Sequence, residues 1–120
     1  MDLQISSHSD RSKVLRDVEH LRSQGWEVKD NTLQKTFYFK TYTKVLDFHQ
    51  VIGIKSKSMN HHSTMKSDYN SLTVVWTTHD PPGLSEKDTI MGEYCDEHSS
   101  AIGTIDKSKI RQCGSATPGL

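Results

Sequence analysis

Seven histidines stand in this 120-residue chain, and three of them sit where side chains could do chemistry: the adjacent pair His61-His62 and, further on, His79. Imidazole gives and takes protons near neutral pH, so the three supply candidates for a general acid and a general base. A zinc ion held by the same three side chains is a second reading. It is the weaker one, because neither cysteine lies nearby in sequence and no His-Glu-x-x-His helix is present. His8, His20, His49 and His98 read as surface or packed residues. Cys95 falls in a periodic apolar stretch and Cys113 in a Ser/Gly/Thr-rich tail, which predicts one buried thiol and one tail thiol rather than a disulfide.

The elements that must position these histidines can be read from spacing. Before the pair, Val45, Phe48, Ile52 and Met59 follow a helical stripe, although Val51-Ile-Gly-Ile54 is locally strand-like. Length favours a helix, despite about 1 kcal/mol lost to Gly53. Residues 60 to 68 read as a polar break. Tyr69 to His79 is the clearest strand, with Leu72, Val74 and Trp76 on one face and Thr73, Val75, Thr77 and His79 on the other. The prolines of Asp80-Pro-Pro-Gly83 end its ladder. Ser85-Glu-Lys-Asp88 then reads as a capping box, which gives Asp88 a structural role near the histidines: it reaches back to the Ser85 amide and faces the positive end of the helix dipole. The helix runs on through Ile90, Met91, Tyr94 and Cys95.

Upstream, Ser9 or Asp10 can cap a helix carrying Val14, Leu15, Val18 and Leu21, with Gly25 as its stop. A strand over 26–30 should pair with Leu33 to Phe39 across the Asp30-Asn31 turn, although Lys35 shares the parity of Leu33, Phe37 and Phe39. The chain thus divides into a flexible arm at 1–8, a single domain at 9–98 and a polar tail at 99–120. The order of elements predicts an α+β fold, a small antiparallel sheet of about four strands with helices packed on one face.

Composition bounds what this domain can do. Leu, Ile, Val and Phe total only 25 residues, so the core is small and a second surface is needed to complete its burial. The net charge of zero argues against a protein that coats nucleic acid or an anionic membrane. No stretch approaches a membrane span, and Met1 to Arg11 lacks the pattern of a secretory signal, which predicts a cytoplasmic location with the nucleus as a second compartment.

Asn60-His61-His62-Ser63, then Tyr69-Asn70, then Thr78-His79-Asp80-Pro-Pro-Gly83-Leu84-Ser85-Glu-Lys-Asp88 resembles the signature of the pterin-4a-carbinolamine dehydratases. That signature is a His-His-Pro, a Tyr-Asn before a strand, a Thr-His at its end and a Gly-Leu-Ser/Thr-x-x-Asp opening the last helix. Gly25-Trp26 and Lys35-Thr-Phe37-Tyr-Phe39 are similar too, so the likeness covers about residues 10 to 98. It implies a dehydratase that removes water from 4a-hydroxytetrahydropterin, without metal or organic cofactor, giving quinonoid dihydropterin in tetrahydrobiopterin recycling. The implied catalytic residues are His61, His62 and His79, with His61 and His79 as the acid/base pair and His62 mainly orienting substrate. Lys57, Met65 and Thr78 join His62 as implied substrate-binding positions.

The chain departs from the family pattern at three of its positions. Lys57 replaces a usual carboxylate, Ser63 the usual proline and Met65 a usual aromatic. These changes motivate an alternative from another class, a catalytically weak binding module that acts as dimerisation cofactor of a transcription factor and holds a protein partner. The resemblance further implies a homodimer or homotetramer, with pterin as the small-molecule partner, no membrane and no direct nucleic-acid contact.

Overall fold

The computed structural model describes residues 3–109. Three helices, α1 (Arg11–Ser23), α2 (Tyr42–Met59) and α3 (Glu86–Ile102), pack against a sheet made from β1 (Glu27–Lys29), β2 (Thr32–Tyr38), β3 (Thr64–Ser67) and β4 (Ser71–Trp76). The sheet is antiparallel throughout, in the order β1-β2-β4-β3. A separate two-stranded ladder joins β5 (Thr78–His79) to β6 (Pro82–Gly83). This is the expected α+β architecture.

Local chemistry accounts for the boundaries. Asp10 caps α1 by accepting from Lys13 N–H, and Thr41 caps α2 by accepting from Lys44 N–H. Asp30 and Asn31 both adopt positive φ, 51° and 61°, which is the backbone a two-residue hairpin between β1 and β2 requires. The core then assembles from one stripe of each element. Leu33, Phe37, Leu72, Val74 and Trp76 of the sheet meet Val14, Val18 and Leu21 of α1, Val45, Phe48 and Ile52 of α2, and Met91 and Cys95 of α3.

Lys35, the parity exception, is accommodated by charge. Its ammonium donates to Asp96 Oδ1 and to the Gln24 carbonyl, both at 2.7 Å, and lies 4.8 Å from the centroid of the Phe37 ring. Asp96 also accepts from Trp26 Nε1 at 3.0 Å. One carboxylate on α3 thereby ties β2 to Trp26, in the turn between α1 and β1.

Several expectations are corrected. The supposed polar break at 60–68 contains β3, an edge strand missed because only Met65 of its four residues is partly buried. The long strand stops at Trp76, and His79 belongs to the β5-β6 ladder opposite Pro82. Residues 4–6, read as part of a loose arm, run beside Leu84 in a parallel bridge at Ile5, and Ser6 is buried. Helix α3 continues past residue 98, buries Ser99 and is followed by a bridge from Thr104 to Phe39. The tail from 110 onward, including Cys113, lies outside the described residues.

Burial pushes the Cys95 thiol up to about 12. In a Cys113→Ser background, Cys95 should therefore resist a thiolate-directed disulfide reagent at pH 8 until the protein is unfolded, when its pKa returns towards 8.5. Reaction of the native protein at the rate of the unfolded chain would contradict this. Asp96→Ala should cost about 1–3 kcal/mol in urea unfolding, because it leaves the Trp26 indole N–H without a partner and the Lys35 ammonium with the Gln24 carbonyl alone.

Candidate active site

The histidine pair is positioned by the way α2 ends. Asn60 adopts the left-handed conformation, φ 52° and ψ 44°, which its short polar side chain tolerates. Asn60 N–H donates to the Lys57 carbonyl and His61 N–H to the Ser56 carbonyl, at 3.2 and 3.0 Å. These paired bonds satisfy the last helical carbonyls and turn the chain sharply out of the helix. His61 and His62 stand immediately after that turn.

The two rings have different surroundings. His61 lies against buried Trp76, ring planes 12° apart and centroids 5.7 Å apart. Its Nε2 is 2.6 Å from Asp88 Oδ1. His62 is exposed and stacks on His79, with centroids 5.4 Å apart. The end of α2 thus supplies one held imidazole and one imidazole paired with a residue from the β5-β6 ladder.

Asp88 organises this corner. It is fully buried at the first turn of α3 and forms the reciprocal capping box with Ser85. Its Oδ2 accepts the Ser85 N–H at 2.9 Å and the Thr78 hydroxyl at 2.7 Å. With the Thr78 proton spent on the carboxylate, the Ser85 hydroxyl donates to Thr78 Oγ1 at 2.6 Å. The remaining oxygen, Oδ1, accepts from His61. A carboxylate offers only acceptors, so His61 Nε2 carries a proton, and in the neutral ring Nδ1 holds the lone pair.

The three histidines open on one cleft of about 390 Å³, which Thr78, Ser85 and Glu86 also line. Thr78 therefore lines the cleft and also holds Asp88. Lys57 does not reach this cleft: it lines a smaller depression of about 210 Å³ with Ser56, Asn60 and the histidine pair. Met65 packs against the hydrophobic core from β3. The sequence reading missed two features. Asp88 is more than a cap, since its second oxygen holds His61, and His8, set aside as background, lines the cleft. Among the described residues, no group of three or more His, Cys, Asp or Glu side chains is placed to hold a metal ion. The three-histidine zinc reading has no ligand set there, consistent with His61 Nε2 being committed to Asp88.

A family model described as pterin 4 alpha carbinolamine dehydratase matches residues 7–98. The chain belongs to this family. Within it, the chain is 38% identical over 73 residues to a protein of Nitrosomonas eutropha, covering 61% of this chain and 65% of that one. It is 36% identical over 84 residues to a protein of Nitrosomonas europaea, covering 70% and 71%. Both are named "Putative pterin-4-alpha-carbinolamine dehydratase". The fold is also that of a Brucella melitensis protein whose crystal structure is titled transcriptional coactivator/pterin dehydratase, with a TM-score of 0.66 and 23% identity over 78% of this chain and 95% of that one. In this member of the pterin-4a-carbinolamine dehydratase family, the cleft is built around the Asp88 to His61 contact.

Asp88→Ala should be among the more damaging single substitutions in the domain. It strands the Ser85 amide, the Thr78 hydroxyl and His61 Nε2 together, and chemical denaturation should show a loss of about 2–4 kcal/mol. Thr78→Val, which removes one of those donors, should cost about 1 kcal/mol. Equal losses for the two variants would show that Asp88 does not carry the extra load.

Proposed function

We propose that this chain dehydrates 4a-hydroxytetrahydropterin to quinonoid dihydropterin by histidine acid/base catalysis. The observation that carries the reading is the convergence on one cleft of a carboxylate-held imidazole, His61, and a stacked exposed pair, His62 and His79. Family membership supplies the pterin.

The elimination breaks the bond from carbon 4a to its hydroxyl oxygen and removes the proton from ring nitrogen 5. His79 protonates the departing hydroxyl, which leaves as water. His61 Nδ1 takes the nitrogen proton, and the Asp88 carboxylate stabilises the imidazolium that forms. Exchange with solvent then returns each imidazole to its starting protonation state. His62 orients the ring system, since its own ring is held against His79. Positioning of this kind reduces the loss of freedom that a productive encounter demands, and general acid/base transfer adds about 10²–10⁴-fold.

We also propose that the chain self-associates. Leu46 and Ile54 remain 45% and 64% exposed on α2, and β3 presents an edge with no partner strand among the described residues. A second copy covering such surfaces completes a core that a chain this short leaves small. Sedimentation should give a species heavier than the 13.6 kDa protomer at micromolar concentration, and a monomer alone would contradict it.

The dehydration assay tests the activity directly. Purified protein should accelerate loss of the 4a-carbinolamine over the spontaneous rate. His61→Ala and His79→Ala should each lower kcat by about 10²-fold or more, whereas His62→Ala should act mainly by raising KM. A spontaneous rate for the wild-type protein, unchanged in these variants, would overturn the reading. In that case a protein partner recovered equally by the wild type and by a triple histidine variant would favour the binding-module alternative.

A further inference from the structure

The proposed chemistry leaves one wall of the cleft without a task. Ser6, His8 and Ser9 line it together with His61, His62 and His79. They belong to the segment that precedes α1, where composition alone gives no reason for a fixed structure.

The segment is nevertheless fastened along its length. Gln4 N–H donates to Asn31 Oδ1 at 2.9 Å. Leu84 N–H donates to the Gln4 carbonyl at 2.9 Å, and Ser6 N–H to the Leu84 carbonyl at 2.8 Å. The two backbones approach so closely at Gly83, where φ is +122°, that a Cβ there would lie 2.8 Å from Ser6 N and 2.9 Å from the Gln4 carbonyl oxygen. Only glycine fits both the conformation and the space. Beyond buried Ser6, the chain turns and closes with Ser9 N–H donating to the Ser6 carbonyl at 3.0 Å. Asp10 N–H then reaches Glu86 Oε2 at 3.3 Å. The Ser9 hydroxyl beside it, with the backbone amides, lowers the Glu86 carboxyl from its ordinary pKa.

His8 is thus carried on a turn whose two feet are tied to residues 83–86, the same stretch that caps α3 beside Asp88. Its side chain is exposed, on the cleft, and held by a backbone that has already lost its freedom. A neutral imidazole offers one donor and one acceptor, a match for the alternating donors and acceptors of a pterin edge. The ordering cost that weakens binding by a mobile arm has been met in folding.

We propose that His8 is a substrate-binding residue of this cleft, which hydrogen-bonds the polar part of the pterin and sets affinity rather than the rate of elimination. The inference rests on the pterin dehydratase reading, and its test separates the two. Biopterin, which has no 4a-hydroxyl and cannot be dehydrated, serves as the binding probe through its fluorescence, alongside the dehydration assay.

His8→Ala should weaken biopterin binding about five- to tenfold, the worth of one hydrogen bond. KM should rise in parallel while kcat stays within about twofold. His8→Gln, which keeps a donor and an acceptor, should recover most of the loss, and the unfolding midpoint should be that of the wild type in both variants. If wild-type protein binds biopterin and dehydrates substrate but His8→Ala matches it in Kd and KM, the role of His8 is overturned and the dehydratase reading stands. A fall in kcat with KM unchanged would likewise overturn a binding role. Wild-type protein that neither binds biopterin nor accelerates dehydration overturns the dehydratase reading and this inference with it.

Discussion

A carboxylate with no exposure to water sits where the first turn of α3 meets the loop from the sheet. Burying Asp88 is tolerable only because every direction around it supplies a donor: the amide of its own cap residue, a threonine hydroxyl from β5 and an imidazole from the end of α2. The positive end of the α3 dipole adds to this. Three segments distant in sequence are therefore held at one point by a single side chain. The geometry of His61 follows from that constraint, because the Asp88 contact chooses its protonated nitrogen while Trp76 fixes the plane of its ring.

Further along α3 the device recurs with another carboxylate. Asp96, two turns along α3 from Asp88, receives Lys35 from β2 and the Trp26 indole from beyond α1. This pair is partly exposed, each side chain retaining 21% of its accessibility. Solvent screening limits its Coulombic worth, and its hydrogen bonds and the ammonium over the Phe37 ring carry more of the effect. α3 is thus held by two carboxylates, Asp88 to β5 and the residue after the α2 cap and Asp96 to β2, that flank the apolar contacts of Met91 and Cys95. That arrangement limits sliding of the helix, which would break polar contacts at both ends.

What could be read from sequence follows a physical division. Helices α1 and α2, the Asp30-Asn31 hairpin, the buried face of β4 and the Ser85-Asp88 cap were legible because each depends on periodicity or on chemistry within a few residues. β3 was not, since an edge strand with one side chain turned to the core carries little alternation, and its backbone is ordered by β4. The docking of residues 4–6 was invisible for a related reason. Its bonds run from backbone to backbone, and the only trace in the sequence is Gly83, whose need for a missing Cβ becomes evident when the neighbouring chain is seen.

The candidate site shows the same division. His61, His62 and His79 were found by residue type and by resemblance, yet their inequality was not. In the fold one ring is clamped between a carboxylate and an indole, while the other two lie against each other at the mouth of the cleft. Asp88 could be seen as a cap because capping is local, but its hold on His61 spans 27 residues. The capping box and the held imidazole use different oxygens of one carboxylate, so folding of the α3 N-terminus also places the group that holds His61. A corner organised in this way needs no separate device to orient its imidazole: the carboxylate that caps the helix through one oxygen sets, through the other, which nitrogen of a neutral His61 ring is left free.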